Sequence, residues 1–138
     1  MKLSAHKEVW PLAKKFVITG YEYTSIEVVV VELSDSKHVG RGEAIGVDYL
    51  GETADTLLID IAAVAPQIED GVDRQSLLAL APAGGARNAI DCALWDLECK
   101  QSGRRAWDIA KVSARSVQTV YTLGIDSPEQ MAADASRA

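Results

Sequence analysis

Few residues of this 138-residue chain have the types and spacing that catalysis requires. Its two histidines, His6 and His38, have no cysteine or second histidine at metal-ligand spacing. The nearest approach to paired carboxylates is Asp91 with Asp96 and Glu98, but Asp91 and Asp96 do not face each other on a helix. Arg87 and Asp91 are one helical turn apart, which favours a structural ion pair. The residues alone indicate an α+β domain with two aromatic loops and no complete catalytic set.

Cys92 and Cys99 lie on the same predicted helix, seven positions apart. At the helical rise per residue their Cα atoms are about 10 Å apart. A disulfide requires a separation below about 7 Å, so the two cannot bridge each other. We therefore interpret both as small apolar fillers in a reducing compartment.

Composition excludes several classes of protein. A formal charge of -6 and 48% hydrophobic residues are typical of a globular domain with one core. The acidic balance argues against nucleic-acid binding, and the pairs Lys14-Lys15 and Arg104-Arg105 are predicted to be merely solvated. No apolar run approaches the roughly 20 residues of a membrane span, and the N-terminus lacks a signal-peptide core. Neither a membrane nor a nucleic-acid partner is expected, and cytoplasmic residence follows by default.

The longest helical pattern covers residues 84–100 and ends at Ser102-Gly103, where glycine is the usual cap. Small and aliphatic side chains gather on one face. Cys92, Trp95 and Cys99 form a second apolar patch on the other. Two apolar faces predict a middle layer, with a sheet or helices against one face and a further layer against the other.

Three antiparallel strands are predicted before this helix, at residues 2–10, 25–33 and 39–45, with Pro11 closing the first. Gly40 and Gly42 in the third strand indicate a bulge or a close backbone approach. Residues 13–25 have no clear period and hold two tyrosines, so we predict a ligand-facing loop. The alternative is a loop whose aromatic rings simply pack down.

The remaining segments are short. A helix is predicted at residues 53–65 with Thr53 as its N-cap and a break near Pro66, and helical turns at 73–80 and 107–110. Residues 46–52 form a second loop. Residues 117–125 read as a buried strand, followed by a helix through residue 138 that starts at Ser127-Pro128. Because one βα unit needs a neighbouring parallel strand, we expect the chain to be the front of a larger protein.

Four stretches carry a family resemblance that covers essentially the whole chain. They are ARNAIDCALWDLECKQSGR at 86–104, GRGEA at 40–44, YLGET at 49–53 and YTLGIDSPEQMA at 121–132. Together they resemble the mandelate racemase/muconate-lactonizing branch of the enolase superfamily. Within it the chain is most similar to dipeptide (Ala-Glu) epimerases, with N-acylamino-acid racemases as the neighbouring group.

The resemblance implies an α+β fold in two parts. Residues 1–115 would form the N-terminal capping domain, a three-stranded antiparallel meander plus helices. Residues 116–138 would be the first strand and helix of an incomplete TIM barrel. The family's acid/base lysines and its three Mg²⁺-binding carboxylates lie on later barrel strands. No catalytic or metal-binding residue is therefore assigned in this chain, and Mg²⁺ would be bound by the barrel.

The activity implied by the resemblance is Mg²⁺-dependent epimerisation or racemisation, in which a proton α to a carboxylate is removed and replaced. Its partners would be a small-molecule substrate and the remaining barrel segment or a second chain. Assembly into a homo-oligomer is also compatible with the resemblance. By itself the chain would be inactive. The capping residues would select the substrate. Positions carried over as substrate-contacting are Phe16, Ile18, Gly20, Tyr21, Tyr23, Asp48, Tyr49 and Thr122.

One departure bears on the substrate. Many dipeptide epimerases carry an arginine in the first loop, where this chain has Gly20-Tyr21. Without that arginine an acidic second residue lacks its charge partner, which favours a hydrophobic or uncharged dipeptide. The alternatives to a dipeptide epimerase are an N-acylamino-acid racemase, a muconate cycloisomerase-like enzyme and a non-catalytic binding or assembly module with the cap fold.

Overall fold

A computed structural model describes residues Met1–Ala138. Strands β1 (Lys2–Ile18), β2 (Tyr21–Ser34) and β3 (Val39–Ala44) form one antiparallel sheet in the order β1-β2-β3. A short 3-10 turn follows at Asp48–Leu50. The helices are α1 (Ala54–Glu69), α2 (Arg74–Leu80), α3 (Gly85–Ser102), α4 (Ala106–Ile109) and α5 (Pro128–Ala135). The predicted α+β architecture of a three-stranded sheet plus helices is confirmed.

The chain divides into two compact units. The first unit comprises Met1–Glu8 and Glu27–Ser113, and the second comprises Val9–Ile26 and Ala114–Ala138. The long strands β1 and β2 contribute residues to both. The assignment of residues 1–115 to a capping domain and 116–138 to a barrel stays a prediction.

The core of the first unit lies between β2, β3 and helices α1 to α3. Strands β2 and β3 pair in a register that sets Val31 opposite Gly42 and Leu33 opposite Gly40. The predicted close approach at these glycines is confirmed, because a Cβ on Gly42 would lie 2.1 Å from the Ala89 carbonyl oxygen of α3. The largest fully buried side chains are aliphatic: Leu33, Leu57, Ile61, Ile68, Leu77, Ile90, Val28, Val29 and Val31.

Local capping signals are largely confirmed. Thr53 caps α1 and exchanges hydrogen bonds with Thr56. Gly103 ends α3 in the left-handed conformation, and the Ser127 hydroxyl accepts a hydrogen bond from the Gln130 amide at the start of α5. These signals depend only on residues within one helical turn.

The predicted loop at residues 13–25 is wrong. Strand β1 continues through Pro11 to Ile18, and β2 begins at Tyr21, so the segment is a hairpin with a two-residue turn. Gly20 has φ +84°, the left-handed backbone that tight hairpin turns require. Pro11 is tolerated because β1 is at the edge of the sheet, where only one side of the strand is hydrogen-bonded to a neighbour.

The predicted break at Pro66 is also wrong. Helix α1 runs on to Glu69 with Pro66 inside it. The last turn is held by Ile68, which is fully buried in the core, and by the Asp70 amide, which donates to the Pro66 carbonyl at 3.0 Å. Burial of one isoleucine contributes about 1.5–3 kcal/mol, comparable to the cost of an interior proline.

The predicted strand at residues 117–125 does not form. The segment is irregular, and Val117, Val120 and Tyr121 are exposed. The Ile125 amide donates a backbone hydrogen bond to the Val17 carbonyl of β1 at 2.8 Å. A strand needs a row of such bonds to a neighbour, and its apolar side chains need a layer to cover them. The following helix does form, ending at Ala135 rather than residue 138.

The second face of α3 is not buried within this chain. Cys92 is exposed, Cys99 is partly exposed, and both are free thiols. The Trp95 ring is covered by the Arg74 guanidinium, whose carbon lies 3.5 Å from the ring centroid. Arg87 donates to the Ala81 carbonyl at 3.2 Å instead of forming the predicted ion pair with Asp91. No helix of the chain is both long and apolar enough to span a membrane.

Candidate substrate-contacting residues

The hairpin tip of the second unit brings four of the predicted substrate-contacting residues together. Ile18 precedes the turn, Gly20 forms it, and Tyr21 and Tyr23 follow it on β2. The two tyrosine rings stack with centroids 6.1 Å apart and planes 10° apart. They share one face because alternate residues of a strand point the same way. Tyr21 is 55% exposed, so the pair offers an aromatic surface to solvent.

Charge at the hairpin tip is neutralised internally. Glu22 lies between the two tyrosines in sequence, and its carboxylate pairs with the Lys15 ammonium group at 3.2 Å. Lys14 and Lys15 are both exposed to solvent, as predicted, and each also makes an ion pair. An exposed pair of this kind contributes little stability, and Lys15 is the basic residue nearest the turn in sequence.

Two further predicted residues, Phe16 and Thr122, line a cavity of about 480 Å³ in the second unit. Phe16 comes from β1 and Thr122 from the irregular segment before α5. A Cβ on Gly124 would lie 3.2 Å from the Val17 amide nitrogen, so glycine allows this segment to approach the strand closely. The remaining lining residues are Lys14, Tyr121, Leu123, Gly124, Asp134, Arg137 and Ala138.

The charged wall of this cavity centres on Asp134, whose side chain is 13% exposed. Its carboxylate accepts hydrogen bonds from the Lys14 ammonium group, from Gln130 at 2.9 Å and from Arg137 at 2.5 Å. The Lys14 bond is the main cause that holds the pKa of Asp134 below its usual range. The carboxylate is therefore ionised at neutral pH and shared by two cations. Sequence reasoning missed this cluster because Lys14 and Asp134 are 120 positions apart.

The last two predicted residues, Asp48 and Tyr49, lie on the 3-10 turn of the first unit. Both are exposed, and Tyr49 is 89% exposed. Gly51 closes the turn in the left-handed conformation. Sequence reasoning missed Glu52, whose carboxylate accepts from the amides of Val47 and Gly85.

A resident metal has no site among these residues. No group of three or more His, Cys, Asp and Glu side chains is arranged to hold an ion.

The chain matches the family model described as "Mandelate racemase / muconate lactonizing enzyme, N-terminal domain" over residues 2–110. The chain belongs to this family. Among curated proteins it is 39% identical over 131 residues to the L-Ala-D/L-Glu epimerase of Escherichia coli K12, covering 94% of this chain and 41% of that protein. It is 32% identical over 106 residues to an N-acetyl-D-glutamate racemase of a Pseudoalteromonas species, covering 75% and 34%.

Solved structures show the same fold. An enolase family member from Agrobacterium tumefaciens with homology to dipeptide epimerases, with bound sodium and L-Ala-L-Glu, superposes with a TM-score of 0.89 at 36% identity. That match covers 98% of this chain and 42% of the other. A dipeptide epimerase from Enterococcus faecalis V583, complexed with Mg and L-Leu-L-Tyr, has a TM-score of 0.83 at 26% identity, with coverage of 99% and 41%. The chain therefore spans about two fifths of these relatives.

Proposed function

We propose that this chain is the substrate-selecting N-terminal part of an epimerase that exchanges a proton α to a carboxylate, with a dipeptide as substrate. The observation that carries the proposal is the family match, together with 39% identity to an L-Ala-D/L-Glu epimerase over nearly the whole chain. The acid/base lysines and the Mg²⁺ ligands belong to the barrel that completes such an enzyme. The chain by itself does not turn over dipeptides.

The hairpin tip and the Phe16–Thr122 cavity are the parts of the second unit that contact the substrate. The aromatic surface of Tyr21 and Tyr23 excludes water and packs against a substrate side chain. Phe16 adds a second aromatic wall, and the Thr122 hydroxyl can donate to or accept from a polar group. Asp48 and Tyr49 remain predicted contacts of the first unit.

The tip favours an apolar or aromatic side chain over an acidic one. Lys15 is already paired with Glu22, so a substrate carboxylate at the tip would have to compete for that cation. Stacked tyrosines offer large apolar area and π-faces instead. Relatives named or crystallised with Ala-Glu dipeptides make L-Ala-L-Glu the reference against which this preference is measured.

A racemase of N-acylated amino acids is the second candidate, favoured by the similarity to an N-acetyl-D-glutamate racemase. Both reactions exchange the same kind of proton, so the class of substrate distinguishes them. A binding module without catalysis is the third.

The test is a screen of the full protein that its gene encodes. Dipeptides of the form L-Ala-L-X and N-acetylamino acids are incubated with Mg²⁺ in D₂O, and loss of the α-proton signal is followed by NMR. Exchange of dipeptides above N-acetylamino acids is expected. Exchange confined to N-acetylamino acids would establish the racemase, and no exchange with either would leave the binding module. The 138-residue chain alone serves as the control and should exchange neither.

A further inference from the structure

The loop that carries Asp48 and Tyr49 is closed by its own backbone. The Glu52 amide donates to the Val47 carbonyl at 3.3 Å, and the Leu50 amide donates to the same carbonyl at 2.8 Å. The two ends of the loop therefore meet at Val47 and Glu52, and its apex is the 3-10 turn.

The Glu52 side chain joins this closed loop to the start of α3. One carboxylate oxygen accepts from the Val47 amide at 3.1 Å and the other from the Gly85 amide at 3.0 Å, and both bonds are partly buried. Gly85 is the first residue of α3, and its N-cap, Gly84, has no side chain to accept a hydrogen bond. The carboxylate of Glu52 supplies the missing cap, at the helix end where negative charge is favoured.

Glycines make the space for the Glu52 side chain and backbone. A Cβ on Gly84 would lie 2.5 Å from the Glu52 Oε1 atom, and a Cβ on Gly46 would lie 2.4 Å from the Glu52 carbonyl oxygen. Neither separation is a normal contact, so a larger residue at either position would displace Glu52. The loop, the carboxylate and the helix start are thus fitted to one another.

We infer that Glu52 is a positioning residue that fixes the loop of residues 46–52, and with it Asp48 and Tyr49, to the start of α3. The Tyr49 side chain is 89% exposed, so its position depends on the loop backbone and not on burial. The consequence for substrate binding rests on the proposed function. The two hydrogen bonds of Glu52 do not depend on the proposed function.

Amide hydrogen exchange of the 138-residue chain tests the anchoring itself. Glu52→Gln replaces one acceptor oxygen by an NH₂ group, so protection should fall about tenfold or more at Val47 or Gly85 or both. Glu69→Gln is the matched control, because the Glu69 carboxylate accepts from the Leu3 amide at 3.0 Å, outside the loop. It should affect Leu3 and leave Val47 and Gly85 unchanged. Unaltered exchange at both the Val47 and the Gly85 amide in Glu52→Gln would overturn the inference.

Glu52→Asp covers the case in which Glu52→Gln does not fold. It keeps the charge and shortens the side chain by one methylene, so one carboxylate can no longer reach both amides. Loss of protection at one or both of them is expected. Full protection at both would overturn the inference as well.

Kinetics of the full protein test the consequence. Glu52→Gln should raise KM for a dipeptide about tenfold and change kcat less than about twofold, since a displaced binding loop weakens ground-state and transition-state binding alike. Glu69→Gln should change neither. Equal KM values in the two variants would overturn the positioning role. If the unaltered protein turns over no dipeptide, the proposed function fails, while the exchange experiment still decides the anchoring.

Discussion

The contact between β3 and α3 and the segment at residues 117–125 are opposite extremes of this chain. At the contact, Gly42 lets two backbones approach so closely that a single added carbon would overlap the Ala89 carbonyl. In the segment, no strand forms and Val120 is 87% exposed. The sequences of β3 and of the segment both predict strands.

The difference shows that strand propensity needs a partner. Strand β3 pairs with β2 along its whole length, and α3 covers one of its faces. The segment at 117–125 has a backbone bond from Ile125 to Val17 and no ladder. Because β-propensity largely measures packing against neighbouring strands, β3 forms a strand despite its two glycines, and the more β-branched segment at 117–125 does not. Substitutions at the contact and in the segment test this difference.

Gly42→Val disrupts the close contact between β3 and α3 and has the largest expected effect. Its Cβ would lie 2.1 Å from the Ala89 carbonyl oxygen and 2.7 Å from the Ala93 amide nitrogen, both backbone atoms of α3. We expect a loss of about 3 kcal/mol or more in the free energy of unfolding, measured with urea. Gly71→Ala is the control, because Gly71 has φ +103° and open space around it, and should lose about 1 kcal/mol. Equal losses would show that close approach is unimportant.

Asp96→Ala removes the polar link at the same contact. Asp96 accepts from the Arg41 amide of β3 at 2.8 Å and from Lys100 at 2.6 Å. Its loss leaves the Arg41 amide without this partner, which should cost about 1–2 kcal/mol in urea unfolding. Asp60→Ala on the exposed side of α1 should stay within about 0.5 kcal/mol. A similar loss in both variants would contradict the link.

Lowering the pH should reduce the stability of the first unit as the Asp96 carboxylate becomes protonated. Partial burial of Asp96 raises its pKa, but the hydrogen bonds from Lys100 and the Arg41 amide outweigh this effect and hold the pKa below its ordinary value of 3.8. A lowered folded-state pKa contributes stability that is present above 3.8 and is lost as the pH falls through the folded value. Unfolding at pH 7, 5 and 3 should therefore show a decline confined to the lowest pH. A smaller decline in Asp96→Asn is expected, and an identical decline would exclude Asp96 as a contributor.

Val120→Ala probes the other extreme and should have the smallest effect. The side chain is exposed, so its truncation should change the free energy of unfolding by less than about 0.5 kcal/mol. Val31→Ala in β2 is the matched control, because Val31 is fully buried and its truncation should cost about 2 kcal/mol. A large loss for Val120→Ala in thermal or urea unfolding would mean that the segment is packed after all.

Local signals made much of the fold predictable. The caps at Thr53, Gly103 and Ser127 and the helical period of α3 act within a few residues, so one sequence suffices to read them. The close approach at Gly40 and Gly42 was predictable because glycine inside a strand pattern indicates a bulge or a close backbone approach.

The errors arose where distant contacts decide the structure. The hairpin around Gly20 is held by strand pairing with both faces partly exposed, which leaves no clean alternation to read. Pro66 stays helical because Ile68 reaches a core that only the fold assembles. The Glu52 anchor joins positions 33 apart, and nothing in the local sequence indicates that Gly85 is its partner.

Substrate preference of the full protein tests the central claim most directly. The ratio of kcat/KM for L-Ala-L-Phe to kcat/KM for L-Ala-L-Glu is measured in the natural protein and in Tyr21→Ala, with the exposed Ile59→Ala on α1 as the control. If the hairpin tip selects the substrate, the natural protein favours L-Ala-L-Phe and Tyr21→Ala lowers the ratio about fivefold or more. A ratio that is the same in all three proteins would contradict the claim that this chain chooses the substrate.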